Sequence, residues 1–142
     1  RLDKSTLVGA VFTDADLDSA NLQGSDLSET VLSRADLSNT DLHGANIHGA
    51  DFSESILRRA KLSGVTMSNT KFIGADLSQA DFSWSTIEEC DFSRVKVSKT
   101  SFRGARIRDV KGIKFRKKAK SSGPLARSAI SRGFLGQPHD NS

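Results

Sequence analysis

The sequence has no Tyr, one Trp, one Met, one Cys and two Pro, and only 36% of its 142 residues are hydrophobic. So small an apolar fraction predicts a thin core for a conventional globular domain of this length. Ser, Asp, Asn and Gly are frequent, and these residues form helices and strands poorly. Propensity alone therefore predicts loop or disorder.

A lone cysteine, Cys90, excludes an intrachain disulfide and a cysteine-cluster metal site. It is compatible with a reducing compartment such as the cytoplasm. No apolar run approaches the roughly 18 residues that span a bilayer, and nothing near Arg1 resembles a signal peptide, so we predict a soluble chain. Because residue 1 is Arg rather than Met, the sequence is compatible with a processed form or a fragment, and the compartment stays open.

An apolar residue recurs every five residues from Leu2 to Ile107 without a slip, and we call these the central residues. A small residue stands two positions before nearly every central residue, the bulkier exceptions being Val65, Cys90 and Val95. This period fits neither a helix nor a hairpin. If the chain turns a corner after each extended five-residue segment, the central and small residues all point inward. Four segments then close one coil, and alternating large and small side chains fill its narrow interior.

Segments such as ADLDS, ANLQG, SDLSE, ADLSN and ADFSE carry this pattern as small, Asp or Asn, then Leu or Phe. On these segments the chain resembles the pentapeptide-repeat family over about residues 1–111. The resemblance implies an all-β fold, a right-handed quadrilateral parallel β-helix of about five and a half coils. We therefore predict a β-helix domain at 1–111 and a basic, non-repeat tail at 112–142.

The tail loses the period after Ile107, and its segment PLARSAISRGFLG predicts a short capping helix. Pro124 suits the first turn of such a helix and Gly133 suits its end. A disordered tail after Lys120 and a dimer contact are the alternatives. The first coil shows no cap, so upstream residues or another molecule would cover it. The apolar residues available to cover the other end are Leu125, Ala126, Ala129, Ile130, Phe134 and Leu135.

Charge is distributed unevenly along the chain. Residues 1–57 hold 3 basic and 10 acidic side chains, residues 58–110 hold 10 and 6, and residues 111–142 hold 8 and 1. This polarity favours steering of charged partners or head-to-tail stacking of copies. Some members of the resembled family mimic DNA on type II topoisomerases such as gyrase, which requires dense negative charge along the whole rod. The basic second half disfavours that function, which we keep as an alternative.

Neither a nucleophile with a base nor a set of metal ligands is apparent, so the sequence predicts no enzyme and no cofactor. His43 and His48 occupy the same outward position in successive repeats and thus lie on adjacent sides of the rod. Cys90 occupies a small inward position, where a thiol packs as a small hydrophobe. The leading hypothesis is a non-catalytic scaffold or protein-interaction module.

Trp84 is the leading candidate contact residue, because it occupies an outward corner and exposed tryptophan is typical of binding surfaces. Coverage of Trp84 by the tail is the alternative. The expected partner is another protein, with a homodimer or end-to-end stacking also open. A basic surface would extend the site through Arg58, Arg59, Arg103, Arg106 and Arg108.

The tail offers a separate candidate site for anions. If the chain binds nucleic acid or an anionic membrane, we expect it to do so only through the tail. The alternative is a solvated tail that binds neither and keeps the rod soluble. The residues of this basic segment are Lys111, Lys114, Arg116, Lys117, Lys118 and Lys120.

Overall fold

The computed structural model describes residues 1–117 and 127–131. The repeats form a stack of coils in which each residue before a central residue pairs in parallel with the residue 20 positions later. Examples are the pairs Thr6–Asp26, Val11–Val31, Asp16–Asp36 and Asn21–Asp41. One coil therefore has four sides of five residues each. We number the sides from first to fourth by the central residues of the first coil, which are Leu2, Leu7, Phe12 and Leu17.

Each side ends in a tight turn whose second residue after the central residue has a positive φ. In most repeats the turn is closed by a backbone hydrogen bond, as where the Ser25 amide donates to the Leu22 carbonyl at 3.2 Å. Residues with side chains also occupy these left-handed positions, including Lys4, Arg59 and Trp84 at φ values of 58°, 59° and 60°. Their side chains are exposed, so every corner presents a column of outward residues.

The central residues fill the interior, and every one from Leu22 to Phe92 is buried. Phe72 stacks between Phe52 and Phe92, with ring centroids 5.1 and 5.0 Å apart. Most buried Ser and Thr side chains at the small positions donate their hydroxyls to main-chain carbonyls. The core is thus closely packed although the apolar fraction of the chain is low.

We place the first coil at the bottom of the rod, so that later coils lie above it. The second side of the upper coils extends into three short strands, β1 (Thr66–Ser68), β2 (Thr86–Glu88) and β3 (Arg106–Arg108). They form a parallel sheet in the order β1-β2-β3. Met67, Ile87 and Ile107 are aligned in this sheet, in register with the coils.

The ladder of coils ends at the bridge between Asp91 and Lys111. Gly112 follows at the position of the next central residue, with φ +90°, and a Cβ there would stand 2.4 Å from the Ser93 amide nitrogen. The chain then forms β4 (Ile113–Lys117), which pairs antiparallel with β5 (Arg127–Ser131). Ile113 is 4% exposed and packs against the core, so β4 covers the end of the last coil.

The predicted capping helix is wrong over Arg127–Ser131, which are a strand. A short helix gains little from local propensity, whereas β4 offers a row of backbone groups for a second strand to pair with. Residues 118–126 and 132–142, including the rest of the predicted helix, lie outside the described residues. Among residues 1–117 and 127–131, no helix is long and apolar enough to cross a membrane.

Candidate interaction site

Trp84 stands at the corner between the first and second sides, in the fifth coil. The repeated turn holds its backbone at φ 60°, and its amide donates to the Arg103 carbonyl of the next coil at 2.8 Å. The residue remains 59% exposed. The turn and this hydrogen bond therefore fix the backbone that carries a large apolar side chain at the surface.

Gly104 lies one coil above Trp84 at the same corner and provides the surface on which the indole packs. A Cβ built on Gly104 would stand 2.5 Å from Cε3 of Trp84, so only glycine leaves room for the ring. Gly104 is not among the site residues predicted from the sequence. The signal was present, because residues 20 apart stack on one another in this fold.

Arg103 and Arg106 flank Gly104 on the first and second sides, and both are exposed. Within the described ranges neither side chain forms an ion pair or a hydrogen bond. Arg108 differs, because its guanidinium lies 3.1 Å from the Glu88 carboxylate. We call Trp84, Arg103, Gly104 and Arg106 the Trp84 corner.

The structure does not bring Arg58 and Arg59 to the Trp84 corner. Arg58 lies on the fourth side, two coils lower than Trp84, where it pairs with Asp76 at 3.1 Å. Arg59 occupies the next corner and donates to the Asn39 side chain at 2.9 Å. The predicted basic surface is thus divided between different sides of the rod.

The basic segment of the tail begins on the last coil and continues along β4. Lys111 and Lys114 are exposed, and Arg116 and Lys117 belong to β4. Lys118 and Lys120 lie outside the described residues. Anion binding by this segment stays a prediction.

A second surface feature is the set of Asp residues that stand directly before central residues on the sides of the rod. The Asp26 carboxylate accepts from the Ser28 hydroxyl at 2.5 Å and from the Ser28 amide at 3.1 Å. These bonds hold the pKa of Asp26 below its usual value. Burial acts to raise the pKa of Asp76, but hydrogen bonds from Ser78 and Arg58 outweigh it and lower that pKa.

Cys90, His43 and His48 each have a packing or hydrogen-bonding role. Cys90 is 1% exposed, and burial raises the pKa of its thiol. His43 Nδ1 lies 2.9 Å from the Ser63 carbonyl, and His48 Nδ1 lies 2.5 Å from the Ser68 hydroxyl. Each histidine therefore bonds to the coil above it, and residues 1–117 and 127–131 hold no group of three potential metal ligands.

A groove of about 490 Å³ follows the corner between the second and third sides, beside β1 to β3. Its walls include Glu89 and Asp109 as well as Lys71 and Lys111, so the groove carries charges of both signs.

The family model for pentapeptide repeats, eight copies long, matches residues 1–34, 20–59 and 57–88, which together are more than half of the chain. The chain belongs to the pentapeptide-repeat family, and its fold is the right-handed four-sided β-helix. The predicted family and fold class are confirmed. No curated protein matches the chain.

Solved structures of pentapeptide repeat proteins share this fold. One from the cyanobacterium Cyanothece 51142 is 23% identical with a TM-score of 0.63, and the match covers 64% of this chain and 63% of that protein. HetL from the cyanobacterium Nostoc sp. strain PCC 7120, involved in heterocyst differentiation regulation, is 22% identical with a TM-score of 0.58, covering 77% of this chain and 58% of HetL. The chain thus spans less than two thirds of the length of either protein.

QnrB1, a plasmid-mediated fluoroquinolone resistance protein, is similar in its trypsin-treated form. It is 18% identical with a TM-score of 0.57, and the match covers 78% of this chain and 68% of QnrB1. At identities this low, the likeness to these three structures shows the fold alone.

Proposed function

We propose that this chain is a non-catalytic interaction module that binds another protein through the Trp84 corner. The observation that supports it is an exposed tryptophan that packs on a glycine, beside two arginines that form no ion pair with any residue of 1–117 or 127–131. Trp and Arg dominate the binding energy of many protein interfaces. Because the turn fixes the backbone of Trp84, a partner would order few additional bonds on binding.

Affinity capture tests this proposal with the full chain as bait in a lysate of the source organism. Trp84→Asn removes the indole while keeping a residue that tolerates the left-handed conformation. Gln79→Asn is the matched control, since Gln79 is also exposed at a turn with φ 62° but on a different corner. We expect a protein that the native chain and Gln79→Asn retain and Trp84→Asn loses. Equal recovery by all three baits, or no recovered protein, would contradict the proposal.

A topoisomerase-directed DNA mimic is the second candidate, favoured by the acidic surface of residues 1–57. Similarity to a fluoroquinolone resistance protein makes it worth testing, although the likeness extends only to the fold. The basic residues of the upper coils oppose this function, because a duplex presents phosphates along its whole length. A gyrase supercoiling assay with and without quinolone decides it. An unchanged rate and unchanged quinolone inhibition would exclude this candidate.

Anion binding by the basic tail is a third, independent candidate. Removing the tail is a poor test, because Ile113 and Phe115 pack against the core. Replacing Lys111 and Lys114 by Gln removes exposed charge without uncovering the core. Binding of nucleic acid or anionic vesicles that falls steeply with salt, and falls again in this variant, would support the tail as an anion site.

A further inference from the structure

The Trp84 corner combines an apolar surface with two exposed cationic groups, and this combination restricts the chemistry of what it can bind. We propose that it binds a short acidic segment of a partner protein, in which carboxylates flank an apolar or aromatic residue. This inference rests on the proposed function and adds the chemical class of the partner.

The apolar part of the contact is set by Gly104. One region of the indole packs against the Gly104 backbone, and the Trp84 residue stays 59% exposed. An apolar side chain of the partner can therefore pack on the remaining surface of the ring. The other region of the ring already rests on the coil above.

The polar part of the contact comes from Arg103 and Arg106. Both guanidinium groups are exposed and lie outside any ion pair of the described residues. A guanidinium binds a carboxylate through two parallel hydrogen bonds, which gives orientation as well as affinity. Arg108 contributes less, because Glu88 already holds it.

The surrounding charges favour a short acidic peptide over nucleic acid. Below the Trp84 corner, Asp81 lies on the first side and Glu88 on the second, so the positive surface does not continue down these two sides of the rod. A nucleic acid strand needs a basic track along its phosphates. A segment with one carboxylate on each side of an apolar residue requires only Trp84 for the apolar side chain and Arg103 and Arg106 for the two carboxylates.

Selection from a display library of random eight-residue peptides, with the full chain as target, tests the proposed specificity. We expect enrichment of peptides in which Asp or Glu flanks an apolar or aromatic residue. Enrichment of peptides without acidic residues, or no enrichment, would overturn the proposal.

A selected peptide free of Trp is then titrated against the chain. Trp84 is the one tryptophan of the sequence, so its fluorescence reports on the corner directly. We expect a saturable change in emission, and none with the same peptide when Asn and Gln replace Asp and Glu. Tighter binding of a single-stranded oligothymidine than of the peptide would assign the corner to nucleic acid and overturn the proposal.

Two matched pairs of variants locate the binding surface. Gly104→Ala places a Cβ into the indole, whereas Gly44→Ala adds the same methyl at the same corner and at φ +70° with nothing within 4 Å. Arg103→Ala/Arg106→Ala and Arg58→Ala/Arg59→Ala remove equal charge at different places. We expect binding about tenfold weaker in the first member of each pair and nearly unchanged in the second. Equal losses within each pair would overturn the proposal.

These measurements separate the inference from the proposed function. A protein captured in a Trp84-dependent manner, together with peptides that bind the variants equally well, would leave the interaction module standing and remove the acidic specificity. Peptide binding at the corner without a captured protein would support the specificity and contradict the proposed function.

Discussion

The ring of Phe115 packs edge-to-face on the ring of Phe102, with centroids 4.8 Å apart and planes at 76°. Residue 112, where the next central residue would lie, is a glycine, so the tail supplies this ring from three residues further on. Strand β4 thereby closes the core with an aromatic side chain. Edge-to-face contacts also join the rings below, at 5.8, 6.3 and 6.2 Å for Phe72–Phe82, Phe82–Phe92 and Phe92–Phe102.

Phe115→Ala should destabilise the upper coils, because it uncovers Phe102 and removes a partly buried ring. A fully buried Phe→Ala change costs about 3–5 kcal/mol, so we expect about 1–3 kcal/mol here. Urea unfolding followed by circular dichroism measures the loss. Lys114→Ala is the control, since Lys114 is exposed on the same strand. Equal unfolding midpoints for the two variants would show that β4 does not stabilise the solenoid.

Gly112→Ala should be more damaging than the same change at a corner. The added Cβ would stand 2.4 Å from the backbone nitrogen of Ser93, so either the segment that leaves the last coil or the coil below it must shift. Gly44→Ala has a similar positive φ and open space, and we expect it to cost about 1–2 kcal/mol from backbone conformation alone. The difference between the two free energies of unfolding isolates the steric contribution. No difference would mean that the backbone relaxes freely at the end of the last coil.

The repeats could be predicted from the sequence because each five-residue segment contains its own inward and outward positions. Leu22 and Phe92 are buried, and Arg59 is at an exposed corner, for this local reason. Contacts between coils are different, since they depend on residues 20 positions apart. The packing of Trp84 on Gly104 therefore cannot be predicted from the pattern within single five-residue segments.

The tail could not be predicted in the same way. Its residues 127–131 include Ala and Ile in an order compatible with a helix or a strand, so local pattern does not decide between them. Pairing with β4 does decide, because Ile113 and Phe115 pack against the core and fix β4 as a strand. The secondary structure of β5 is thus a consequence of tertiary contacts.

Asp26 should stabilise the rod at neutral pH and lose this contribution in acid. Because hydrogen bonds from Ser28 lower the pKa of Asp26 in the folded chain, its contribution is fully present above the unfolded value of about 4. That contribution is lost as pH falls through the folded pKa. Ser28→Ala should therefore lower the urea midpoint at pH 7 and have less effect at pH 2.5.

Ser98→Ala is the matched control for this pH dependence. Ser98 occupies the same position in a repeat whose outward residue before the central one is Lys96 instead of Asp. We expect the effect of Ser98→Ala on the midpoint to be the same at both pH values. If Ser28→Ala behaved like Ser98→Ala, the hydrogen bonds to Asp26 would not contribute to stability through its ionisation.

Cys90 should react with thiol reagents only when the fifth coil opens. Its side chain is 1% exposed, its Sγ lies 3.3 Å from the Glu88 carbonyl, and burial, opposed by hydrogen bonds from Thr70, raises its pKa. The burial of the side chain and the raised pKa of the thiol both lower the concentration of accessible thiolate. We expect no reaction with an aromatic disulfide reagent at pH 8 in buffer and complete reaction in urea. Glu89→Cys in a Cys90→Ala background provides an exposed thiol one residue away, and it should react at once. If native Cys90 reacted as fast as this control, the corner at β2 would open readily, and the stacked coils would not behave as one cooperative core.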